Sequence, residues 1–151
     1  MGFLFEPYTE NDFADLKDMV FGLYDEDHEG LPVTEDKIVK TISECMDHPE
    51  KVRIIMIRAG GISIGYGIVT FWWSNEYGGN AVTIDELFIR KTHRYKNAAA
   101  DFIKHVRETY KDAALLEVET TPSNVNALRL YKKLGFTVSE NTHLVLSANN
   151  S

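Results

Sequence analysis

The stretch AVTIDELFIR, Ala81 to Arg90, runs on into KTHRYKNAAADFIKHVRETY, Lys91 to Tyr110, and its reading decides the fold. Val82, Ile84, Leu87, Phe88 and Ile89 are strand formers, with two acids, Asp85 and Glu86, among them. Lys91 to Lys96 reads as a short polar turn. Ala98, Ala99 and Ala100 then open a helical pattern. Ala99, Phe102, Ile103, Val106 and Tyr110 fall at i, i+3, i+4, i+7 and i+11, one apolar stripe. A strand feeding a helix through a short turn directs the helix's free N–H groups outward, and that end of a helix attracts phosphate. The small side chains let a ligand approach the backbone closely, although no glycine occupies the turn.

A second stretch, Asn124-Val-Asn-Ala127-Leu-Arg-Leu-Tyr131-Lys-Lys-Leu-Gly135-Phe136, carries its own geometry. Asn124, Ala127 and Tyr131 lie at i, i+3 and i+7 and share a helix face. Gly135 stands where a helix C-terminal glycine is expected, and Phe136 is read as the start of the next strand.

Together the two stretches resemble the GNAT superfamily of N-acyltransferases. The family carries Gln/Arg-x-x-Gly-x-Gly/Ala at the first junction to hold the coenzyme A pyrophosphate. Arg94 and Ala99 match it; Asn97 stands where glycine is expected. Asn tolerates the left-handed backbone region better than other non-glycine residues, so the turn can survive the change. The second stretch resembles the later motif, Asn-x-x-Ala-x-x-x-Tyr-x-x-x-Gly-Phe, at every defined position. The resemblance implies acetyl-CoA as co-substrate, held by Phe88, Ile89, Arg94, Tyr95, Lys96, Asn97, Ala98, Ala99, Asn124 and Tyr131. It also implies that Tyr131 protonates the departing thiolate. Some polyamine acetyltransferases of the superfamily place an acidic base at the position of Asp85, with a second acid following, here Glu86.

The rest of the chain supplies the expected frame. Phe3 to Phe5 reads as a strand closed by Pro7. Asn11 or Asp12 caps a helix running to about Tyr24, with Phe13, Leu16, Val20 and Leu23 on one face. Asp25 to Gly30, DEDHEG, is either a solvated acidic loop or a rim that attracts amines. Thr34 caps a second helix that His48-Pro49 ends, and its stripe Ile38, Ile42, Cys45 and Met46 makes Cys45 a core residue. Val52 to Arg58 and Ile62 to Trp73 are strands joined by the hairpin turn Ala59-Gly60-Gly61. Gly65 and Gly67 in the second of them mark a bulge or a close approach. One of Trp72 and Trp73 is expected in the core; the other lines a pocket or covers the sheet. Leu115 to Thr120 is a strand, expected parallel to Ala81–Ile89 and diverging from it. Phe136 to Glu140 and His143 to Leu146 form a final hairpin, and Ala148 to Ser151 is a frayed tail. The order βααβββαβαββ is an α/β fold, a mixed twisted sheet of about seven strands with helices on both faces, in a single domain spanning 1–151. It matches the GNAT order.

Composition narrows the function. The chain has 151 residues with 16 Lys and Arg against 23 Asp and Glu, a net charge of −7. That balance argues against nucleic-acid binding and suits a cationic substrate. A single cysteine permits no internal disulfide, and no Cys/His pair has zinc spacing, so no metal is expected. The N-terminus lacks a basic region followed by an apolar run, and no apolar run is long enough to span a bilayer. The expectation is a cytoplasmic protein, monomer or homodimer, without a membrane partner. His28, His48, His93, His105 and His143 form no recognisable triad with serine or cysteine, so a hydrolase is a poor reading.

Amine acetylation needs a neutral amine, whereas alkyl amines carry a pKa near 10.4 and are mostly protonated. A carboxylate, directly or through water, accepts that proton. Asp85 and Glu86 are adjacent in a strand, so they are expected on opposite faces with at most one at a given cleft. The reading is an N-acetyltransferase acting by direct transfer on a primary amine: a polyamine, an amino acid, an aminoglycoside-like amine, or a peptide amine. The alternative is a coenzyme-binding or regulatory module of the same fold, its catalysis weakened by Asn97.

Overall fold

The computed structural model describes residues 2–26 and 30–148. Asp27 to Glu29, the middle of the acidic run, lie outside the described residues, so neither reading of that loop is tested. The last three residues of the expected frayed tail lie outside them as well.

Among the described residues the α-helices and strands follow in the order β1 (Leu4–Pro7), α1 (Phe13–Glu26), α2 (Glu35–Asp47), β2 (Val52–Ala59), β3 (Ile62–Ser74), β4 (Gly79–Ile89), α3 (Ala98–Thr109), β5 (Leu115–Val118) and α4 (Val125–Lys133). The five strands form one sheet in the order β1-β2-β3-β4-β5. The first four run antiparallel, and β5 lies parallel to β4. The β2–β3 hairpin turns on Gly60 and Gly61, both with positive φ (58° and 80°), which is the backbone a two-residue turn needs to match strand twist.

Helices cover both faces. Leu16, Met19 and Val20 of α1 and Ile38 of α2 pack with Ile54, Met56, Tyr66, Ile68 and Phe88 on one face. Phe102, Ile103 and Val106 of α3 and Tyr131 of α4 pack with Ile57, Val69, Val82, Ile84 and Ile89 on the other. Each fully buried side chain of this size contributes about 1.5–3 kcal/mol by leaving water. Gly67 is what lets α3 settle. A Cβ there would stand 2.3 Å from the Phe102 ring, so the strand glycine does mark a close approach.

The N-terminal caps differ from expectation in one place. Thr9, not Asn11 or Asp12, caps the first helical segment, a single 3-10 turn at Glu10–Asp12 that leads into α1. Asp12 reaches back to the Thr9 N–H at 2.9 Å and takes a two-armed ion pair from Arg58, both contacts at 3.0 Å. Thr34 caps α2 as expected, accepting from the Lys37 N–H at 3.2 Å. Cys45 is half-buried against the α1–α2 core. Neither tryptophan is in the core: Trp72 is 46% and Trp73 65% exposed. Trp72 lies at the sheet surface, where its Nε1 donates to Thr83 and Glu117.

The final hairpin is the larger departure. No strand forms between Phe136 and Leu146, so the sheet has five strands among the described residues rather than seven. β5 is left as an edge.

Candidate active site

β4 and β5 pair only from Ala81–Leu115 to Ile84–Val118. β5 ends at Val118, opposite Ile84, so β4 runs on past it without a partner strand on that side among the described residues. At the same point β4 slips against β3: Ile68 faces Glu86, Val69 faces Ile84, and Asp85 has no opposite number. One extra residue is a β-bulge. It overturns the expectation that Asp85 and Glu86 point to opposite faces. Both line one cleft of about 850 Å³ on the α2 side of the sheet, with Lys40, Thr41, Ser43, Glu44, Thr70 and Trp72 around it. Glu86 also closes the end of a second, largely apolar cavity of about 450 Å³ under α1 and α2.

Glu86 is held from both sides. The Tyr24 hydroxyl donates to one oxygen at 2.8 Å and the Tyr66 hydroxyl to the other at 2.7 Å. Burial pushes the Glu86 carboxyl above the usual range; the two tyrosines offset part of that rise, and the Asp85 charge adds to it. Partial desolvation by its neighbours raises Asp85 as well, although its side chain stays exposed at the strand surface, and burial, with the Glu86 charge, raises Tyr66 far above an ordinary phenol. Tyr66 is fully buried and stays a neutral donor. Neither tyrosine was singled out from the sequence. They come from α1 and β3, and no local pattern announces a contact 62 residues away.

Past the bulge, the backbone of β4 has a free side. The Arg90 N–H donates to Ile64 of β3 at 2.7 Å. Backbone direction alternates along a strand, so Leu87 and Ile89 turn their N–H and C=O groups away from β3, into the gap left by β5. The Ile89 carbonyl does so, accepting from Arg94 Nε at 2.7 Å. Leu87, absent from the sequence-based candidates, thus presents backbone groups beside Ile89, while Phe88 turns its backbone to β3 and packs in the α1–α2 core.

At the end of β4 the polar turn forms. Tyr95 and Asn97 both take positive φ, 63° and 70°. Asn97 occupies the left-handed region, as its place in the motif requires. The amides of Tyr95 through Ala100 donate to no carbonyl among the described residues. They form a row of free N–H groups at the start of α3, beside the buried Ala98 and the half-buried Ala99. Lys96 is exposed next to them. Arg94 is placed differently from what the resemblance implies. Its guanidinium pairs with both oxygens of Glu26 at 2.8 and 2.9 Å and lies 5.3 Å from the centre of the Phe88 ring. It ties the end of α1 to the end of β4.

α4 faces this turn. Asn124 caps it, accepting from the Ala127 N–H at 3.1 Å, and Asn126 reaches the Tyr95 hydroxyl at 3.4 Å. The helix closes in a Schellman arrangement. The Phe136 N–H donates to Tyr131 at 3.0 Å and the Gly135 N–H to Lys132 at 3.1 Å, with Gly135 at φ 102°. The Phe136 ring then meets the Tyr131 ring edge-on, 5.9 Å between centres, and fixes it. Tyr131 is 9% exposed, and its hydroxyl makes no hydrogen bond among the described residues. Yet among the described residues no fully buried side-chain polar atom lacks a partner. The hydroxyl is therefore the part of this residue that meets solvent. Burial pushes its pKa up to about 12, so it remains protonated at neutral pH.

Among the described residues no His, Cys, Asp and Glu side chains gather as a metal-binding group, and no helix is long and apolar enough to cross a membrane.

A mixed sheet whose short parallel edge strand leaves the end of its neighbour open, beside a row of free helix-terminal amides, defines a class of cleft proteins with the fold of acyltransferases. The model of the acetyltransferase (GNAT) family matches residues 14–136, and the chain belongs to that family. Among solved structures, an integron cassette protein from the mobile metagenome of Cole Harbour Salt Marsh is 26% identical with a TM-score of 0.80, over 97% of this chain and 91% of its own. A possible acetyltransferase from Clostridium difficile 630 has a TM-score of 0.82 at 14% identity, over 98% and 99%. The aminoglycoside N-acetyltransferase AAC(6')-Iy, solved in complex with CoA, has a TM-score of 0.77 at 17% identity, over 98% and 96%. The latter two are likenesses of fold. No curated protein matches the chain.

Proposed function

We propose that this protein transfers an acetyl group from acetyl-CoA directly to a primary amine. The observation that carries the proposal is the stretch of β4 past Ile84 that the short β5 leaves unpaired. The buried, ring-locked Tyr131 turns its hydroxyl to solvent on the α4 side of the sheet, and a two-acid cleft opens on the α2 side. The pyrophosphate sits on the free amides of the Tyr95–Ala100 turn, where a helix N-terminus favours negative charge. The pantetheine arm pairs with the open backbone of Leu87 and Ile89, as an added strand would.

The chemistry then balances. Glu86 or Asp85 takes a proton from the ammonium group, leaving a neutral amine. The amine nitrogen attacks the thioester carbonyl carbon, and the carbon–sulfur bond breaks with its electron pair going to sulfur. Tyr131 gives its proton to the thiolate and regains one from solvent. Because its phenol remains protonated at neutral pH, it serves as an acid and not as the base. Asp85 and Glu86 on one cleft favour a cationic acceptor, whether polyamine, amino acid, aminoglycoside-like amine or peptide amine. Coenzyme A release during an amine-library screen with acetyl-CoA tests the reading. Turnover is expected with at least one amine class, and Tyr131→Phe is expected to slow it about 10- to 100-fold with acetyl-CoA affinity unchanged. No turnover with any amine, or full activity in Tyr131→Phe with chemistry rate-limiting, would overturn it.

A further inference from the structure

The smaller of the two cavities at Glu86 has a chemical pattern of its own. Buried Leu16 and Val20 of α1, Ile38 of α2, and Ile54 and Ile68 of the sheet form its floor. Leu31, Pro32 and Val33, on the stretch between α1 and α2, complete its wall. Its polar side chains are already engaged. The Thr41 hydroxyl donates to the Lys37 carbonyl at 3.0 Å, Lys37 Nζ to the Pro32 carbonyl at 2.9 Å, and the Tyr24 hydroxyl to Glu86 at 2.8 Å. Among the described lining residues Glu86 is the only acid.

Each Glu86 oxygen takes one tyrosine bond. A carboxylate accepts about four in all, so capacity remains for the amine of a ligand. The rest of the lining offers a ligand mainly apolar contact. A second ammonium inside the cavity would meet no second carboxylate among these residues and would share the space with the Lys37 ammonium. A buried charge without a partner is strongly disfavoured. The larger cleft is different: Lys40, Glu44, Lys51 and Asp85 line it, so it offers charge rather than apolar cover. Glu86 stands where the two meet. A volume of about 450 Å³ suits the body of one small ligand. An apolar cavity of about 150 Å³ already takes a benzene ring.

We propose that the acceptor is a primary monoamine with a compact apolar body, an alkyl or arylalkyl amine, whose body fills this cavity and whose nitrogen sits at Glu86. The proposal rests on the acetyl-transfer reading and narrows its acceptor: amines with a second positive charge are selected against. Leu31 is a specificity-determining residue. It lends the wall apolar surface and, being 68% exposed, can be changed without disturbing the core.

Titration calorimetry of the full chain with straight-chain amines tests the proposal, in saturating coenzyme A, which carries no acetyl group to transfer. Each added methylene is expected to tighten binding about fourfold until the cavity is full. Hexylamine and diaminopentane have the same length and differ in ending on a methyl or an ammonium group. Hexylamine is expected to bind at least about tenfold more tightly, and to give the higher kcat/KM with acetyl-CoA. Leu31→Asp is expected to narrow that gap by giving the second ammonium a partner. Diaminopentane bound as tightly as hexylamine, affinity that does not grow with chain length, or a gap unchanged in Leu31→Asp would overturn the proposal. Acetyl transfer itself still stands in those cases if some amine releases coenzyme A. Hexylamine that binds in the expected way without turnover sinks the acetyl-transfer reading instead and leaves the occupant of the cavity as proposed.

Discussion

Glu86 shows how one side chain is tuned by groups that leave no trace in its own neighbourhood of the sequence. Burial disfavours its charge, and the Tyr66 and Tyr24 hydroxyls restore part of it. If Glu86 is the proton acceptor, activity falls as pH drops through its folded pKa, because only the carboxylate accepts. Tyr66→Phe removes one restoring hydrogen bond and lifts that pKa further. The acid limb of the pH–rate profile is therefore expected to move to higher pH. Asp85→Asn removes a neighbouring negative charge, and the limb should move the other way. Lys37 from α2 at the apolar cavity, and Lys40, Glu44 and Lys51 around the larger cleft, are the remaining charged groups that line the two cavities at Glu86, and they are unaltered in both variants. A uniform loss of rate with no displacement of the limb would mean that Tyr66 only packs. Of these residues the sequence reading reached Asp85, Glu86 and Tyr131, because two stand together in a strand and one closes a spaced motif. It could not reach Tyr24 or Tyr66, whose role exists only after α1 and β3 are folded against β4.

The elements were read more fully than their contacts. Every helix and the five strands lie where periodicity, caps and turns put them, within a few residues at each end. The bulge in β4 was missed, although the strand carried a hint of it. Val82 and Ile84 are two apart, as are Leu87 and Ile89, but Ile84 and Leu87 are separated by three. A sheet covered on both faces blurs such a slip, since apolar residues are welcome on either side. Gly67 takes the second of the two roles its place in the strand allowed, a close approach rather than a bulge, and its cost can be measured. Gly67→Ala sets a methyl group 2.3 Å from a ring that is fully buried and cannot swing away. Denaturant unfolding is expected to show a loss of about 1–3 kcal/mol, the usual range for an overpacked core. Adding Phe102→Leu should return part of it. An unchanged midpoint in Gly67→Ala would mean that α3 is free to shift on the sheet.

At the scale of the molecule, the two faces of the sheet divide the work, and the coenzyme is the piece expected to join them. Ligand bound only to the native state raises its stability, by about 2.7 kcal/mol at a hundredfold excess over the dissociation constant. For a chain of this length that is a rise of about 5–10 °C in Tm. Scanning calorimetry with acetyl-CoA should find it, and Ala99→Glu should erase it by placing a carboxylate among the free amides. An equal rise in the folded variant would move the phosphate site away from this turn. What the sequence could not convey at this scale was the fate of the last strands. Their residues have the right character, but pairing depends on which edge they meet, and residue type does not name the edge.

The bulge at Asp85 also constrains how this chain can change over time. Before it, even-numbered positions of β4 face α3, as Val82 and Ile84 do; after it, odd-numbered positions do, as Leu87 and Ile89 show. The strand thus counts to its two acids from both ends, and the two counts disagree by one. Replacing Asp85 alters a side chain. Deleting it would remove the bulge, restore strict alternation through Ile84, Glu86 and Leu87, and leave the rest of β4 on the faces it now occupies. Inserting one more residue there would instead turn one end of the strand over, so the fold of this protein should bear the loss of this position more readily than a gain beside it.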